Sequence, residues 1–215
     1  MAQPRGAPYM QVTWLSKVLA GDAFCEWALW FRTNNRYEKQ PSDFDFDSWA
    51  EQHSAMVRTR AQQLRDAGYT VFVEGQNSFT LPGRSATLGG QPDILAVNTT
   101  DALIVDCKTG TPRNAHRLQV LVYMYVAPFV RPVCRGKQLC GEVLYTNRTL
   151  RVPIEDLTEE TQTLIRTMIQ RAAGAAPLLK VPSFAECRFC DITAADCPER
   201  VAQEQAAPEP DHGLF

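Results

Sequence analysis

The first seventy residues follow the hydrophobic spacing of helices. Residues 12–37 repeat apolar positions every three to four residues, and Gly21 with Asp22 interrupts the repeat. A second helical pattern covers residues 47–68, and His53 falls on its apolar side. The pattern therefore predicts two helical segments, with the His53 side chain directed inward.

The period then changes to that of strands. Short runs rich in Val, Ile, Leu and Phe are separated by Gly, Pro, Asn and Thr, which is typical of strands in a sheet. The pattern predicts strands over residues 70–74, 78–81, 93–97, 102–108, 138–146 and 150–154, and helices over 113–127 and 155–173. This order predicts an α/β fold in which a mixed central sheet is flanked by helices, with residues 1–198 forming one domain.

Composition supports a packed globular domain. The chain has 215 residues, of which 45% are hydrophobic and 21% charged. Its longest nearly apolar stretch, residues 118–130, has about 13 residues, whereas a membrane helix needs roughly 20. Charged residues also interrupt any signal-peptide core near the N-terminus. We therefore expect a cytoplasmic protein without a membrane span, and we expect residues 199–215 to form a disordered acidic tail.

Charge is distributed unevenly along the chain. The net charge is -2, yet residues 107–153 contain eight basic residues and a single acid, Glu142. From Glu199 onward, four acids accompany one arginine. A basic middle beside an acidic end is typical of a protein with one face that contacts phosphates. The alternative is that the basic residues are scattered and only aid solubility.

Two aspartates and a lysine mark a candidate catalytic centre. On a strand, alternate residues share a face, so Asp106 and Lys108 project together while Cys107 points into the packed side. If the strands over 93–97 and 102–108 form a hairpin, Asp93 lies at the same end. Three charges in an apolar sheet are costly unless a cation and polar groups compensate them. Carboxylate oxygens suit Mg²⁺ or Mn²⁺, which indicates metal-assisted hydrolysis of a phosphodiester.

The following helix carries further polar side chains. Gln119 and Tyr123 are separated by four residues, so they share one helical face, and His116 joins them. Glu74, near the end of an earlier strand, is an alternative acidic metal ligand. Its other interpretation is a surface carboxylate.

Seven cysteines are many for a reducing compartment, and their odd number argues against a complete disulfide framework. Cys187, Cys190 and Cys197 follow the last helix closely, and Cys25 lies in the N-terminal helical region. This spacing suits zinc and an iron–sulfur cluster equally well. Cys134 and Cys140 could form a second metal site or simply pack in the interior.

Taken together, these motifs resemble the PD-(D/E)xK nuclease superfamily, and within it the RecB-like branch. The motifs are Gly90-x-Pro92-Asp93, Asp106-x-Lys108 and Gln119-x-x-x-Tyr123, with His53 upstream. The resemblance implies a restriction-endonuclease-like core and a Mg²⁺ or Mn²⁺ ion. It implies metal ligation by His53, Asp93, Asp106 and the main-chain carbonyl of Cys107, a catalytic role for Lys108, and substrate positioning by Gln119 and Tyr123.

The cysteines match the order found in the iron–sulfur nucleases of CRISPR spacer acquisition and in related helicase-associated nuclease domains. This resemblance implies that a C-terminal cysteine segment binds a [4Fe-4S] cluster through Cys25, Cys187, Cys190 and Cys197. It implies a DNA exonuclease acting on single strands or ends, with CRISPR integrase or helicase subunits as partners. Arg113 and Arg117 would contact phosphates. A catalytically dormant DNA-binding subunit and a structural zinc protein are the alternatives, and the oligomeric state stays open.

Overall fold

The computed structural model of the protein describes residues 1–41 and 45–204; most of the predicted acidic tail lies outside this part. Six helices occur within the described ranges: α1 (Val12–Leu19), α2 (Glu26–Asn34), α3 (Phe46–Asp66), α4 (Asn114–Val130), α5 (Glu159–Ala173) and α6 (Phe184–Cys187). The strands there are β1 (Gln3–Pro4), β2 (Tyr9–Gln11), β3 (Asn35–Arg36), β4 (Thr70–Val73), β5 (Phe79–Pro82), β6 (Thr87–Gly90), β7 (Ile94–Val97), β8 (Asp101–Lys108), β9 (Gln138–Tyr145) and β10 (Thr149–Pro153). None of the described helices is long and apolar enough to cross a bilayer.

The central sheet has five strands in the order β10-β9-β8-β7-β4. β8 and β9 run parallel, and the other neighbouring pairs are antiparallel, so the sheet is mixed as predicted. β7 and β8 form the predicted hairpin, in which Ile94 pairs with Val105 and Val97 with Ala102. The Asn98 N–H donates to the Asp101 carbonyl at 3.0 Å and closes the turn.

Helices cover both faces of this sheet, which confirms the predicted α/β architecture. On one face, α1, α4 and α5 pack on a core that includes Ile104 of β8. On the other face, Val57 and Leu64 of α3 pack against Val105 and Cys107. Alternate residues of β8 thus enter opposite cores, because successive side chains of a strand point to opposite faces.

Two smaller sheets were not predicted from the sequence pattern, although the pattern did predict one of their strands, β5, over residues 78–81. β2, β6 and β5 form a three-stranded sheet in which β2 and β6 are parallel, and β1 pairs with β3. Each of these strands has two to four residues. Such segments are too short for an alternating pattern to emerge, and β6 ends in two glycines, which are typical of turns.

Helix boundaries follow local capping. The chain bends between α1 and α2 at Gly21, whose φ of 71° is left-handed, as the sequence predicts. α4 continues past Pro128 to Val130 instead of ending at residue 127. Proline has no N–H group, but so close to the C-terminal end the helix loses only one main-chain hydrogen bond. α5 begins at Glu159, later than predicted, because the Thr158 hydroxyl accepts the Thr161 N–H and caps the helix there.

Close packing of α4 on the sheet predicts a specific stability effect. A Cβ on Gly141 of β9 would overlap the Val120 side chain and lie 2.8 Å from the Met124 sulfur. We expect Gly141→Ala to lower the free energy of unfolding by about 1–3 kcal/mol, the usual cost of overpacking a core. Urea denaturation measures the change. Gly6→Ala is the control, since nothing lies within 4 Å of that position; equal stability of the two variants would contradict the prediction.

Candidate active site

Asp106 is a buried carboxylate at the end of β8. Its side chain is 3% exposed, and its Oδ2 lies 2.6 Å from the Lys108 Nζ. The Gln119 Nε2 donates to its Oδ1 at 3.0 Å. Lys108 pairs with Oδ2, and this oxygen has no further hydrogen-bond partner among the described residues. Asp106 therefore presents one buried oxygen whose sole partner in the described chain is the ammonium group.

Asp93 lies directly before β7, and the hairpin register places it beside Asp106. Its Oδ2 accepts the Cys107 N–H at 2.6 Å, so the main chain between Asp106 and Lys108 holds the second carboxylate in place. The His53 Nε2 of α3 lies 3.2 Å from the same oxygen, and the His53 ring stacks on Trp49 with centroids 4.9 Å apart. The structure thus brings together Asp93, Asp106, Lys108 and His53.

Burial dominates the electrostatics of the centre. It raises the pKa of Asp106 to about 6, although the charge of Lys108 acts in the opposite direction. Burial alone would lower the pKa of Lys108, but the charge of Asp106 raises it above the ordinary value. The hydrogen bond to Asp93 raises the pKa of His53. Lys108 is therefore a cation at neutral pH even though it is largely buried.

A chain of hydrogen bonds extends from Asp106 along α4. The Gln119 Nε2 also contacts the Tyr123 hydroxyl at 3.1 Å, and that hydroxyl donates to the Gln91 carbonyl at 3.3 Å. Burial raises the pKa of Tyr123, which keeps the phenol protonated. The predicted shared face of Gln119 and Tyr123 therefore links the carboxylate to the segment that precedes Asp93.

His116 also joins this end of the sheet. Its Nδ1 lies 3.0 Å from the Tyr145 hydroxyl. Burial lowers the pKa of His116 to about 4, and the positive charge of Lys108 acts in the same direction. His116 is thus a neutral imidazole at neutral pH. Tyr145 was not singled out from the sequence, because only the parallel pairing of β8 with β9 brings it opposite Lys108.

The two arginines assigned to substrate binding have different surroundings. Arg113 is exposed at the N-terminal cap of α4. Arg117 instead forms an ion pair with Asp156 at 2.7 Å, so its guanidinium is not paired with Asp93 or Asp106. Lys17 of α1 was not predicted to belong here. Burial lowers the pKa of Lys17, and the neighbouring charges of Arg32 and Arg113 contribute to the shift.

The basic middle of the sequence does not form one patch around the site. The Lys137 Nζ donates to the carbonyls of Asn98 and Thr99 at 2.6 and 3.1 Å, at the hairpin turn. That turn precedes the eight-residue strand β8, whose far end carries Lys108 roughly 23 Å away. Part of the basic segment therefore stabilises a loop away from the site, which agrees with the alternative that the basic residues are scattered.

Glu74 contributes its main chain to the site. Its side chain is exposed, and its φ of 46° is left-handed, which is uncommon for a residue with a side chain. The Glu74 N–H donates to the Asp93 carbonyl at 2.8 Å. The structure assigns this residue a supporting main-chain contact to Asp93.

The oxygen atoms of Asp93 and Asp106 are of the chemical type that hard divalent cations bind. Two carboxylates lie together, and one has a buried oxygen that pairs with Lys108 alone among the described residues. Such oxygens are the ligands that Mg²⁺ and Mn²⁺ prefer. Within residues 1–41 and 45–204, however, no three His, Cys, Asp or Glu side chains are arranged to hold a metal ion. His53 and Lys108 contact the carboxylate oxygens instead, so metal binding requires these two side chains to move.

The predicted cluster cysteines gather near α2. Cys25, Cys190 and Cys197 pack in one small apolar cluster. Glu186, next to Cys187, accepts the N–H groups of Phe24 and Cys25 at 3.1 Å. All seven cysteines are free thiols. As at the Asp93 and Asp106 carboxylates, the sulfur atoms in the described part of the chain are not arranged around a common metal position.

The surroundings of the other thiols differ. Cys107 and Cys134 are buried in the two cores of the central sheet. Cys140 is half-buried, and its Sγ lies 3.3 Å from the Arg151 Nε. Packing therefore accounts for Cys107 and Cys134.

Residues 20–197 match the PD-(D/E)XK nuclease superfamily, and the chain belongs to this superfamily. The crystal structure of SSO0001 is similar to this chain with a TM-score of 0.46 and 13% sequence identity, over 93% of this chain and 90% of that one. The search of curated proteins gives no match.

The paired carboxylates of Asp93 and Asp106 predict that divalent cations stabilise the protein. A cation that binds only the folded state at 100 times its Kd adds about 2.7 kcal/mol, which corresponds to about 5 °C or more in Tm for a domain of this size. We expect Mn²⁺ to raise the Tm of the parent protein, and EDTA to reverse the shift. Asp106→Asn should remove the response, measured by differential scanning calorimetry. The control Asp66→Asn changes an exposed carboxylate and should keep it; loss of the response in both variants would contradict the assignment.

Proposed function

We propose that the protein is a Mg²⁺- or Mn²⁺-dependent deoxyribonuclease that hydrolyses phosphodiester bonds. Membership of the nuclease superfamily supports the reaction class. The observation that carries the proposal is the Asp106 carboxylate, which is buried, lies between Asp93 and Lys108, and has one oxygen whose sole partner in the described chain is the Lys108 ammonium. A buried carboxylate of this kind costs free energy unless it serves a ligand or a charge partner.

The contacts of each residue in this site suggest its proposed role. Asp93, Asp106, the Cys107 carbonyl and His53 are the proposed metal ligands, and a bound divalent ion would supply Lewis-acid activation of the phosphate. Lys108, which remains protonated beside Asp106, is the proposed catalytic cation that stabilises developing charge on a phosphate oxygen. Gln119 holds the orientation of Asp106 through its hydrogen bond.

DNA is the proposed substrate, as single strands or duplex ends, with exonuclease action. Lys17 and Arg113 supply positive charge near Lys108, which supports phosphate binding by this end of the sheet. Tyr123 is the proposed positioning residue, since its hydroxyl fixes the segment that leads to Asp93. Arg117 contributes only if its ion pair with Asp156 opens.

The cysteine segment is proposed to bind a [4Fe-4S] cluster through Cys25, Cys187, Cys190 and Cys197. Two N–H groups directed at sulfur support this ligand set: the Arg32 Nη2 lies 3.5 Å from the Cys190 Sγ, and the Val181 N–H lies 3.5 Å from the Cys25 Sγ. Such donors stabilise coordinated thiolates. The cluster would join the N- and C-terminal parts of a single nuclease domain over residues 1–198.

We further propose that the chain belongs to the RecB-like branch and acts in CRISPR adaptation or in DNA repair and recombination, with integrase or helicase subunits as partners. The order of the four cysteines along the sequence supports this placement. Seven unpaired thiols are typical of a reducing compartment and support action in the cytoplasm.

A catalytically dormant DNA-binding subunit is the second candidate. The observation that favours it is the closed arrangement of the centre, in which His53 pairs with Asp93 and Lys108 with Asp106. A binding subunit would retain affinity for DNA without cleavage, whereas a nuclease would cleave once divalent cations are supplied.

Substitution of Asp106 separates these candidates. We expect the parent protein to degrade end-labelled single-stranded DNA in Mn²⁺, and Asp106→Ala to reduce the rate by a factor of about 10³ or more, because the proposed metal and Lys108 lose their shared carboxylate. Gel electrophoresis of timed samples measures the rate. Asp66→Asn is the control and should keep activity, since its carboxylate is exposed at the C-terminal end of α3. Unchanged cleavage by Asp106→Ala would remove this residue from the mechanism.

Loss of a cysteine tests the cluster separately. We expect anaerobically purified parent protein to contain iron and to absorb near 400 nm, as iron–sulfur proteins do. Cys187→Ala should lose the iron and lower the Tm, because the metal would join residues far apart in sequence. Cys140→Ala is the control and should retain the iron. An iron-free, zinc-containing parent protein would favour a structural zinc site instead.

A further inference from the structure

An open groove lies on the three-stranded sheet, outside the centre described above. It has a volume of about 410 Å³ and is lined by Tyr9 and Gln11 of β2, Phe79 and Thr80 of β5, and Gln91 after β6. Strand pairing brings the lining residues together, because Gln11 of β2 and Thr80 of β5 both pair with Gly89 of β6. A Cβ at Gly89 would overlap the Tyr9 ring, so the glycine allows this ring to lie across the strand and form one wall.

The groove is connected to the catalytic centre through Gln91. The Gln91 carbonyl accepts the Tyr123 hydroxyl, which also contacts Gln119 and thereby Asp106. Asp93 follows Gln91 by two residues, so their Cα atoms are at most roughly 7 Å apart. This spacing is close to that of neighbouring nucleotides in an extended strand. A phosphate held at Asp93 and Asp106 would therefore have its adjoining nucleotide at the groove.

The lining has the chemistry of a nucleotide site. Aromatic rings occur beside amide and hydroxyl groups, and none of the lining residues carries a negative charge that would repel a phosphate. The Gln91 Oε1 accepts the Ser78 hydroxyl at 2.6 Å, which fixes the side chain and leaves its amide N–H groups without a partner among the described residues. The Arg5 guanidinium lies over the Tyr9 ring, 5.6 Å from its centroid, so a positive charge accompanies this aromatic wall.

We propose that this groove is a subsite for the nucleotide next to the scissile phosphate, in which Tyr9 stacks on the base and the amides of Gln11 and Gln91 bind its polar edge. This inference rests on the proposed nuclease function and deepens it. Stacking on an aromatic ring is tolerant of sequence, because every base has a π-face. The subsite therefore favours an unpaired nucleotide without selecting a particular base.

The test measures binding of a fluorescent single-stranded oligonucleotide of about 15 thymidines by anisotropy, in EDTA so that metal-dependent cleavage is prevented. We expect Tyr9→Leu to weaken binding by about 5- to 150-fold, the range for loss of one stacked base. Thr80→Trp should weaken binding similarly, because the larger side chain fills the groove. Thr80 is exposed, and its side chain has no hydrogen bond within the described chain. Phe129→Leu removes an exposed aromatic ring from the end of α4 and should bind like the parent protein.

An abasic oligonucleotide distinguishes base stacking from phosphate contact. The parent protein should bind it more weakly than the thymidine oligonucleotide, and Tyr9→Leu should cause no further loss. An equal loss on both oligonucleotides would overturn stacking by Tyr9. In Mn²⁺, the KM of Tyr9→Leu should rise while kcat stays within about twofold. Parent protein that cleaves DNA while Tyr9→Leu and Thr80→Trp bind normally would refute the subsite alone; a parent protein that neither binds nor cleaves DNA would refute the nuclease proposal as well.

Discussion

The buried carboxylate of Asp106 is the constraint on which the arrangement of the active-site end depends. An uncompensated charge in a core costs several kcal/mol, and each compensating group comes from a different element. Lys108 lies on the same strand and Gln119 on α4. Asp93, before the neighbouring strand, adds a like charge, which the Cys107 N–H and His53 offset. Formation of the site therefore requires the hairpin and the packing of α4 on the sheet to be in place together.

Local periodicity explains why the centre of this site could be predicted from the sequence. Alternation along a strand is a property of the backbone, so it separates Asp106 and Lys108 from Cys107 without knowledge of the fold. The four-residue spacing of Gln119 and Tyr123 has the same local origin in the helix. The hairpin between β7 and β8 needs only a short turn, which places Asp93 at the correct end.

Contacts between distant segments could not be predicted in this way. The parallel pairing of β8 with β9 brings Tyr145 opposite Lys108, and no local pattern encodes it. Arg117 has a helical position suitable for phosphate binding, yet Asp156, far along the chain, forms an ion pair with it. The groove depends on pairing of β2 with β6 across more than seventy residues. Of its strands, β2 and β6 are too short to carry a periodic signal.

The connection between α1 and α2 links the two ends of the proposed enzyme. The Asp22 Oδ2 accepts the Ala115 N–H at 3.4 Å, at the start of the helix that carries Gln119. Three residues later, Glu186 holds the N–H of Cys25. Order in the cysteine segment therefore restrains the same short connection that contacts α4. A metal cluster bound by the cysteines would stabilise the active site through this connection, because α4 carries the Gln119 side chain that donates a hydrogen bond to Asp106. The cluster itself would take no part in the reaction.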